Sequence, residues 1–204
     1  MNPSLLLDAD ESQVVLVDFQ ARLMPAIHDG PAVLANAVRL ARLARLLQVP
    51  VVVTEHCPDK LGGTDAALAG FAHERIEKLS FSAVPAGLAE RLALGLAGPP
   101  LLDSNVAWLQ RPAGGGTRTR RTILLAGCEA HVCLLQTAMD LLQQDYRVCI
   151  VTDACGSRAP HDRDTAYQRL ARAGAEPVTV EMVAFEWIRV TTHPAWKQAL
   201  AIIK

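Results

Sequence analysis

Four short runs of this chain are almost continuously apolar: Val14-Val15-Leu16-Val17, Val51-Val52-Val53, Thr122-Ile123-Leu124-Leu125-Ala126 and Val148-Cys149-Ile150-Val151. A strand with one wet face alternates polar and apolar side chains, whereas a strand apolar throughout is covered on both faces. Longer stretches of helical period separate these runs. Pro31 to Gln48 places Val33, Ala37, Leu40, Ala41, Ala44 and Leu47 on one stripe. Pro85 to Leu96, about His131 to Gln144, and Asp162 to Ala173 (closed by Gly174) are predicted helices, with Pro85 suited to a first turn. Arg75 to Phe81 and Pro177 to Val180 are predicted as further short strands. Strand–helix alternation of this kind predicts an α/β fold: a central, mostly parallel, roughly six-stranded sheet in a three-layer α/β/α sandwich.

A chain of 204 residues supports one sizeable core, so 1–204 is expected to be one domain without internal repeats. Gly95 to Arg120 breaks the rhythm with Pro99-Pro100, Pro112 and Gly114-Gly115-Gly116. We read it as an insertion at about 95–120, a loop or irregular hairpin around Leu101 to Leu109. The net charge of −1 supplies no field for nucleic acid or an anionic membrane. Arg118, Arg120 and Arg121 lack aromatic stacking partners and read as a solvated loop. No apolar stretch approaches the ~18 residues that span a bilayer. Met1 to Gln13 has no basic leader, and the five cysteines form no CxxC pair. Free thiols in a cytoplasmic protein are therefore expected.

In an open parallel sheet, ligands bind beyond the carboxyl ends of the strands. Those ends present Asp18, Glu55-His56, Cys128 to Cys133, and Asp153 to Arg158. Cys133 falls in the first turn of a predicted helix, where unpaired N–H groups and the helix dipole lower a thiol's pKa. The same groups can receive the oxyanion of a carbonyl under attack. The plainer reading of Cys133 is a small buried apolar residue. Cys57, Cys149 and Cys155 lack that placement and read as structural. Asp18 ends an apolar strand, where a carboxylate is costly without a partner; the plainer role is capping the turn Phe19 to Arg22. Lys78 alone reads as a solvated surface residue, but beside Asp18 and Cys133 it completes a base, a cation and a nucleophile. His131, two residues before Cys133, points to a different helical face. No His-x-His, HExxH or Asp-x-His spacing surrounds His56 or His73, so no metal and no cofactor are expected.

Val17-Asp18-Phe19-Gln20, Glu77-Lys78-Leu79-Ser80-Phe81-Ser82 and Leu125 to Cys133 resemble the three signature stretches of the isochorismatase-like cysteine hydrolases. The likeness continues through Thr137-Ala138-Met139-Asp140, Val151 to Arg158 and His193 to Lys197. It is strongest to the branch called isochorismatase domain-containing proteins. The resemblance implies a catalytic triad of Asp18 as base, Lys78 as its cationic partner and Cys133 as nucleophile. It implies hydrolysis of a small amide or related C–N carbonyl substrate through a covalent thioester-type intermediate. It also implies a cis peptide at Cys128-Glu129, which would aim the N–H groups of Glu129 and Cys133 into one oxyanion hole. The motif neighbourhoods make Phe19, Leu23, His56, Phe81 and Glu129 the expected pocket walls. Nicotinamidases of the superfamily carry a metal element where this chain has Glu55-His56-Cys57-Pro58, and Pro58 cannot ligate. True isochorismatases typically lack the cysteine, so its presence favours acyl or amide chemistry.

Two other readings stay open: a catalytically silent protein that binds a small molecule or partner, and enol-ether hydrolysis with Asp18 as acid. A small-molecule substrate is expected, with neither nucleic acid nor membrane as partner. Apolar residues late in the chain, Phe185, Trp187, Ile188, Trp196 and Leu200, predict a homo-oligomer (dimer, tetramer or larger).

Overall fold

The structure is a computed structural model, and it describes residues 5–94 and 120–204. The expected insertion, with its hairpin around Leu101 to Leu109, lies outside the described residues apart from Arg120. Six strands form one parallel sheet in the order β3-β2-β1-β4-β5-β6. They are β1 (Ser12–Val17), β2 (Val51–His56), β3 (Glu74–Lys78), β4 (Thr122–Cys128), β5 (Arg147–Gly156) and β6 (Glu176–Val178). The helices are α1 (Gly30–Leu46), α2 (Pro58–Leu61), α3 (Ala66–Ala69), α4 (Leu88–Ala93), α5 (Leu135–Leu142), α6 (Pro160–Arg172), α7 (Val180–Ile188) and α8 (Trp196–Ile203).

The unbroken apolar runs are explained by helices on both faces. Val14, Leu16, Val53 and Leu124 pack with Leu40 and Leu43 of α1 and with Val183 of α7. Val15, Val17, Val52, Ile123 and Leu125 pack with Leu88 and Leu92 of α4, Leu141 of α5 and Leu170 of α6. Every residue of β1 and β4 is buried. The edge strand β3 alternates instead, burying Ile76 and Lys78 while Arg75 and Glu77 face water.

Several boundaries differ from the sequence reading for local reasons. Pro85 belongs to a separate 3-10 turn, Val84–Ala86, and Gly87 at φ 95 divides that turn from α4. The third strand stops at Lys78, so Leu79 to Phe81 form a loop. The fifth runs past Asp153 to Gly156 because its register with β4 shifts between Leu125 and Gly127. Trp187 and Ile188, expected at an interface, are buried in the chain's own core at 5% and 2% exposure; Phe185 is 44% exposed. Among the described residues no helix is long and apolar enough to cross a membrane.

The chain steps outward from β1 to β3, then returns to lay β4 on the other side of β1. The junction of β1 and β4 is thus the switch point at which open α/β sheets form their ligand crevice.

Candidate active site

The C-terminal tips of β1, β2, β3 and β4 converge on one buried cluster. Asp18 follows β1 directly and sits at φ 53, a left-handed conformation that Asp tolerates better than most residues. Each oxygen of its carboxylate has a partner: Lys78 Nζ lies 2.7 Å from Oδ2, and Thr54 Oγ1 donates to Oδ1 at 2.7 Å. Both side chains of the ion pair have 0% exposure. A buried charge pair survives only when its remaining hydrogen-bonding capacity is met. Lys78 meets that condition by donating also to the Phe81 carbonyl at 2.9 Å and, more weakly, to the Ser80 carbonyl at 3.4 Å. Asp18 is therefore not a simple turn cap, and Lys78 is not a solvated surface residue.

Cys133 lies at 6% exposure in a π-helical turn, Ala130–Leu134, that precedes α5. The charges of both Asp18 and Lys78 act on its thiol. Burial pushes the thiol up to about 12; the Asp18 charge adds to that rise, and the Lys78 ammonium opposes it. The sequence reading expected the helix start to lower this pKa. Desolvation of a nearly enclosed thiolate outweighs that effect. The turn begins at a cis Cys128-Glu129 peptide, and the Glu129 carbonyl accepts the N–H groups of Val132 and Leu134 at 3.0 and 3.3 Å. One step earlier, Gly127 at φ 152 lies so close to β1 that a Cβ would come within 2.2 Å of the Val17 carbonyl oxygen. Only glycine permits the approach that brings the cysteine turn alongside Asp18.

The expected pocket walls separate. Phe19 is 1% exposed and belongs to the core beside α1. Leu23 is half-buried, and Phe81 is 50% exposed. The Phe81 and His56 rings meet at 5.4 Å. Glu129 holds a second ion pair: its Oε2 accepts the Arg158 backbone N–H at 3.0 Å and Arg158 Nε at 2.9 Å. Cys57, read as structural, is half-buried with its sulfur 3.6 Å from His56 Nε2.

Sequence reasoning missed the supports. Thr54 directly follows the apolar run Val51-Val52-Val53 and is the polar residue two positions before His56. Asp140 and Thr137 of α5 hold the loop after Lys78: Ser82 Oγ donates to Asp140 Oδ2 at 2.6 Å, and Thr137 Oγ1 accepts the Ala83 N–H at 3.1 Å. Their place in the Thr137-Ala138-Met139-Asp140 motif was the available signal.

Among the described residues no group of three or more His, Cys, Asp or Glu side chains could hold a metal ion. A cavity of about 550 Å³ adjoins Lys78 and is walled also by Cys57, Pro58, Lys60, Ser80 and Pro85. Asp18 and Cys133 are not among its walls, so it marks an approach to the cluster rather than the cluster itself. A groove of about 490 Å³ by Asp153, Arg163 and Tyr167 contains no predicted site residue.

The sequence model of the isochorismatase domain matches residues 12–94 and 106–182. Isochorismatase domain-containing protein 2A of Mus musculus is 33% identical over 195 residues, covering 96% of this chain and 84% of that protein. The Homo sapiens isochorismatase domain-containing protein 2 is 34% identical over 193 residues, covering 95% and 83%. The MAR1 ribonuclease of Caenorhabditis elegans superposes with a TM-score of 0.81 at 27% identity, over 97% of this chain and 92% of its own. YcaC of Escherichia coli, an octameric hydrolase of unknown specificity, superposes at 0.74 and 22% identity, over 100% and 89%.

Proposed function

Since this chain belongs to the isochorismatase domain family, we propose that it is a cysteine hydrolase of a small amide or related C–N carbonyl compound. The observation that carries this reading is the buried Lys78–Asp18 pair, whose charges both act on the buried Cys133 thiol. A thiol held protonated needs a base at the moment of attack, and Asp18 is in place to serve. Asp18 takes the thiol proton as sulfur bonds to the carbonyl carbon. The N–H groups of Glu129 and Cys133 receive the oxyanion. As the C–N bond breaks, the amine leaves with the proton from Asp18, and a thioester remains on Cys133. Water, giving a proton to Asp18, then attacks the thioester, and the acid departs as the sulfur regains its proton. Lys78 keeps Asp18 oriented and balances its charge throughout.

The other readings are weaker on physical grounds. A silent binding protein has no need of a fully hydrogen-bonded acid–base pair beside a thiol. Enol-ether hydrolysis needs no sulfur at all. The nematode neighbour is named a ribonuclease, but a net charge of −1 gives this chain little attraction for a polyanion. We also read it as a cytoplasmic homo-oligomer. The octameric state of the E. coli neighbour supports assembly, as do the exposed Leu79, Phe81, Met182 and Phe185.

The deciding experiment compares native protein with Cys133→Ala on a panel of small amides, ureides, an enol ether and an RNA oligonucleotide. Native protein is expected to release amine from an amide, and Cys133→Ala to lose about 10³-fold or more in kcat. Equal turnover by the two proteins would overturn the proposal; binding without turnover in both would favour the silent protein.

A further inference from the structure

His56 ends β2, one strand away from Asp18, and its position in the sheet fixes where its ring points. It pairs in register with Lys78, and Thr54 pairs with Ile76. Side chains two apart on a strand share a face. His56 therefore lies on the side from which Thr54 reaches Asp18 and Lys78 completes the cluster. Its ring is 5.4 Å from that of Phe81, whose carbonyl accepts Lys78 Nζ.

The backbone of His56 is held from both sides by Gln20: Oε1 accepts its N–H at 2.8 Å, and Nε2 donates to its carbonyl at 3.1 Å. Nε2 of the ring rests 3.6 Å from the Cys57 sulfur. Nδ1 is buried and has no hydrogen-bond partner among the described residues. The Nδ1 atoms of His73, His131 and His193 each have one: the Val51 N–H, Ser157 Oγ and the Ala195 N–H. A buried polar atom left alone is unfavourable, and each such atom calls for a role, a bound partner among them. Gln20 fixes the backbone, Cys57 occupies the far nitrogen, and Phe81 flanks the ring. What remains is one unpartnered hydrogen-bonding atom on the strand face that carries Thr54 and Lys78.

We infer that His56 Nδ1 is a specificity determinant that hydrogen-bonds a second polar group of the substrate, so that the enzyme takes small amides bearing a hydroxyl or similar group near the carbonyl rather than plain aliphatic amides. The inference rests on the amide-hydrolase reading. It adds what that reading leaves open, namely the chemical class of the acyl portion. A site that hydrogen-bonds a substrate hydroxyl rejects the analogue lacking it, because its own polar atom is then left unpaired. The half-exposed Phe81 ring covers the apolar remainder of such a compound.

Two isosteric pairs test this: lactamide against isobutyramide, and 3-hydroxybutyramide against isovaleramide. Each pair exchanges a hydroxyl for a methyl at one or two carbons from the carbonyl. Native protein is expected to prefer one hydroxylated amide about tenfold or more in kcat/KM. His56→Ala is expected to remove that preference mainly through KM, leaving kcat within about threefold. Asn places a polar atom where Nδ1 stands and Gln places one where Nε2 stands. His56→Asn is therefore expected to restore selectivity, while His56→Gln is not. Equal preference in native protein and His56→Ala, or equal rescue by Asn and Gln, would overturn the inference. The same pairs are also measured for binding to Cys133→Ala, where no turnover is required. Selectivity there that depends on His56 upholds the inference even if hydrolysis by Cys133 fails. Cys133-dependent hydrolysis with no His56-dependent selectivity sinks the inference alone.

Discussion

Asp18 acts on Cys133 in two opposed ways, and a single substitution separates them. Its negative charge holds the proton on sulfur; in the proposed reaction it also removes that proton. Asp18→Asn takes away the first effect, so the thiol pKa falls and more thiolate exists at a given pH. Alkylation of Cys133 by acrylamide at pH 8 is expected to quicken by about threefold or more, while amide hydrolysis falls by about 10²-fold or more. Peptide mapping of the labelled sulfur measures the first, and half-exposed Cys57 is replaced by Ser so that it does not compete. Slower alkylation together with lost hydrolysis would mean that Asp18 only holds the fold. The type and place of these residues were legible in the sequence, because a carboxylate ending an apolar strand and a cysteine after a strand-to-helix turn are both conspicuous. The sign of the Cys133 shift was not, since it depends on how completely neighbours from four strands exclude water.

The loop after β3 takes its shape from α5, an element more than fifty residues further along the chain. Asp140 accepts from Ser82, Thr137 accepts from Ala83, and Ser80 Oγ donates to the Ser82 carbonyl at 2.7 Å. Together they fix the Ser80 and Phe81 carbonyls on which the Lys78 ammonium rests. Asp140→Ala removes the acceptor for a buried hydroxyl, which costs about 1–3 kcal/mol of stability. It is expected to lower kcat by about tenfold as Lys78 drifts from Asp18. Asp140→Asn keeps an acceptor oxygen and is expected to regain most of that rate. Urea titration and steady-state kinetics on the same variants check both parts, and an unchanged kcat in Asp140→Ala would break the link between α5 and Lys78. At this scale the strands were readable because burial on both faces leaves no alternation. The π-helical turn was not: apolar spacing from Ala130 to Leu142 fits a helix throughout, and the wider turn depends on how Glu129 and β4 enter it.

Across the whole molecule, the sheet order explains how a carboxylate, an ammonium and a thiol from distant stretches meet, since β1, β3 and β4 all point their carboxyl ends at one crevice. Strand–helix alternation made the layers legible; the order of the strands and the face of each site residue emerged only from pairing registers such as His56 with Lys78. The same close packing gives the protein a weakness at alkaline pH. Burial pushes the thiols of Cys128, Cys133 and Cys149 up to about 12, and raises Cys155 as well. In the unfolded chain these thiols titrate near 9. Above that pH the unfolded state sheds protons that the folded state keeps, so the stabilisation present below about 9 is lost as pH rises toward the folded values. Each thiol contributes a slope of up to about 1.4 kcal/mol per pH unit in that window. Four together rival the ~5–15 kcal/mol by which domains are ordinarily stable. Urea midpoints are therefore expected to fall steeply between pH 8 and pH 10. Cys149, buried in β5 away from the Asp18–Lys78 cluster, isolates the cause. Cys149→Ala leaves a small cavity and lowers the midpoint at pH 8, yet its decline toward pH 10 is expected to be shallower by about one proton's worth. A parallel decline in native protein and Cys149→Ala would mean that buried thiols do not set the alkaline limit of this fold.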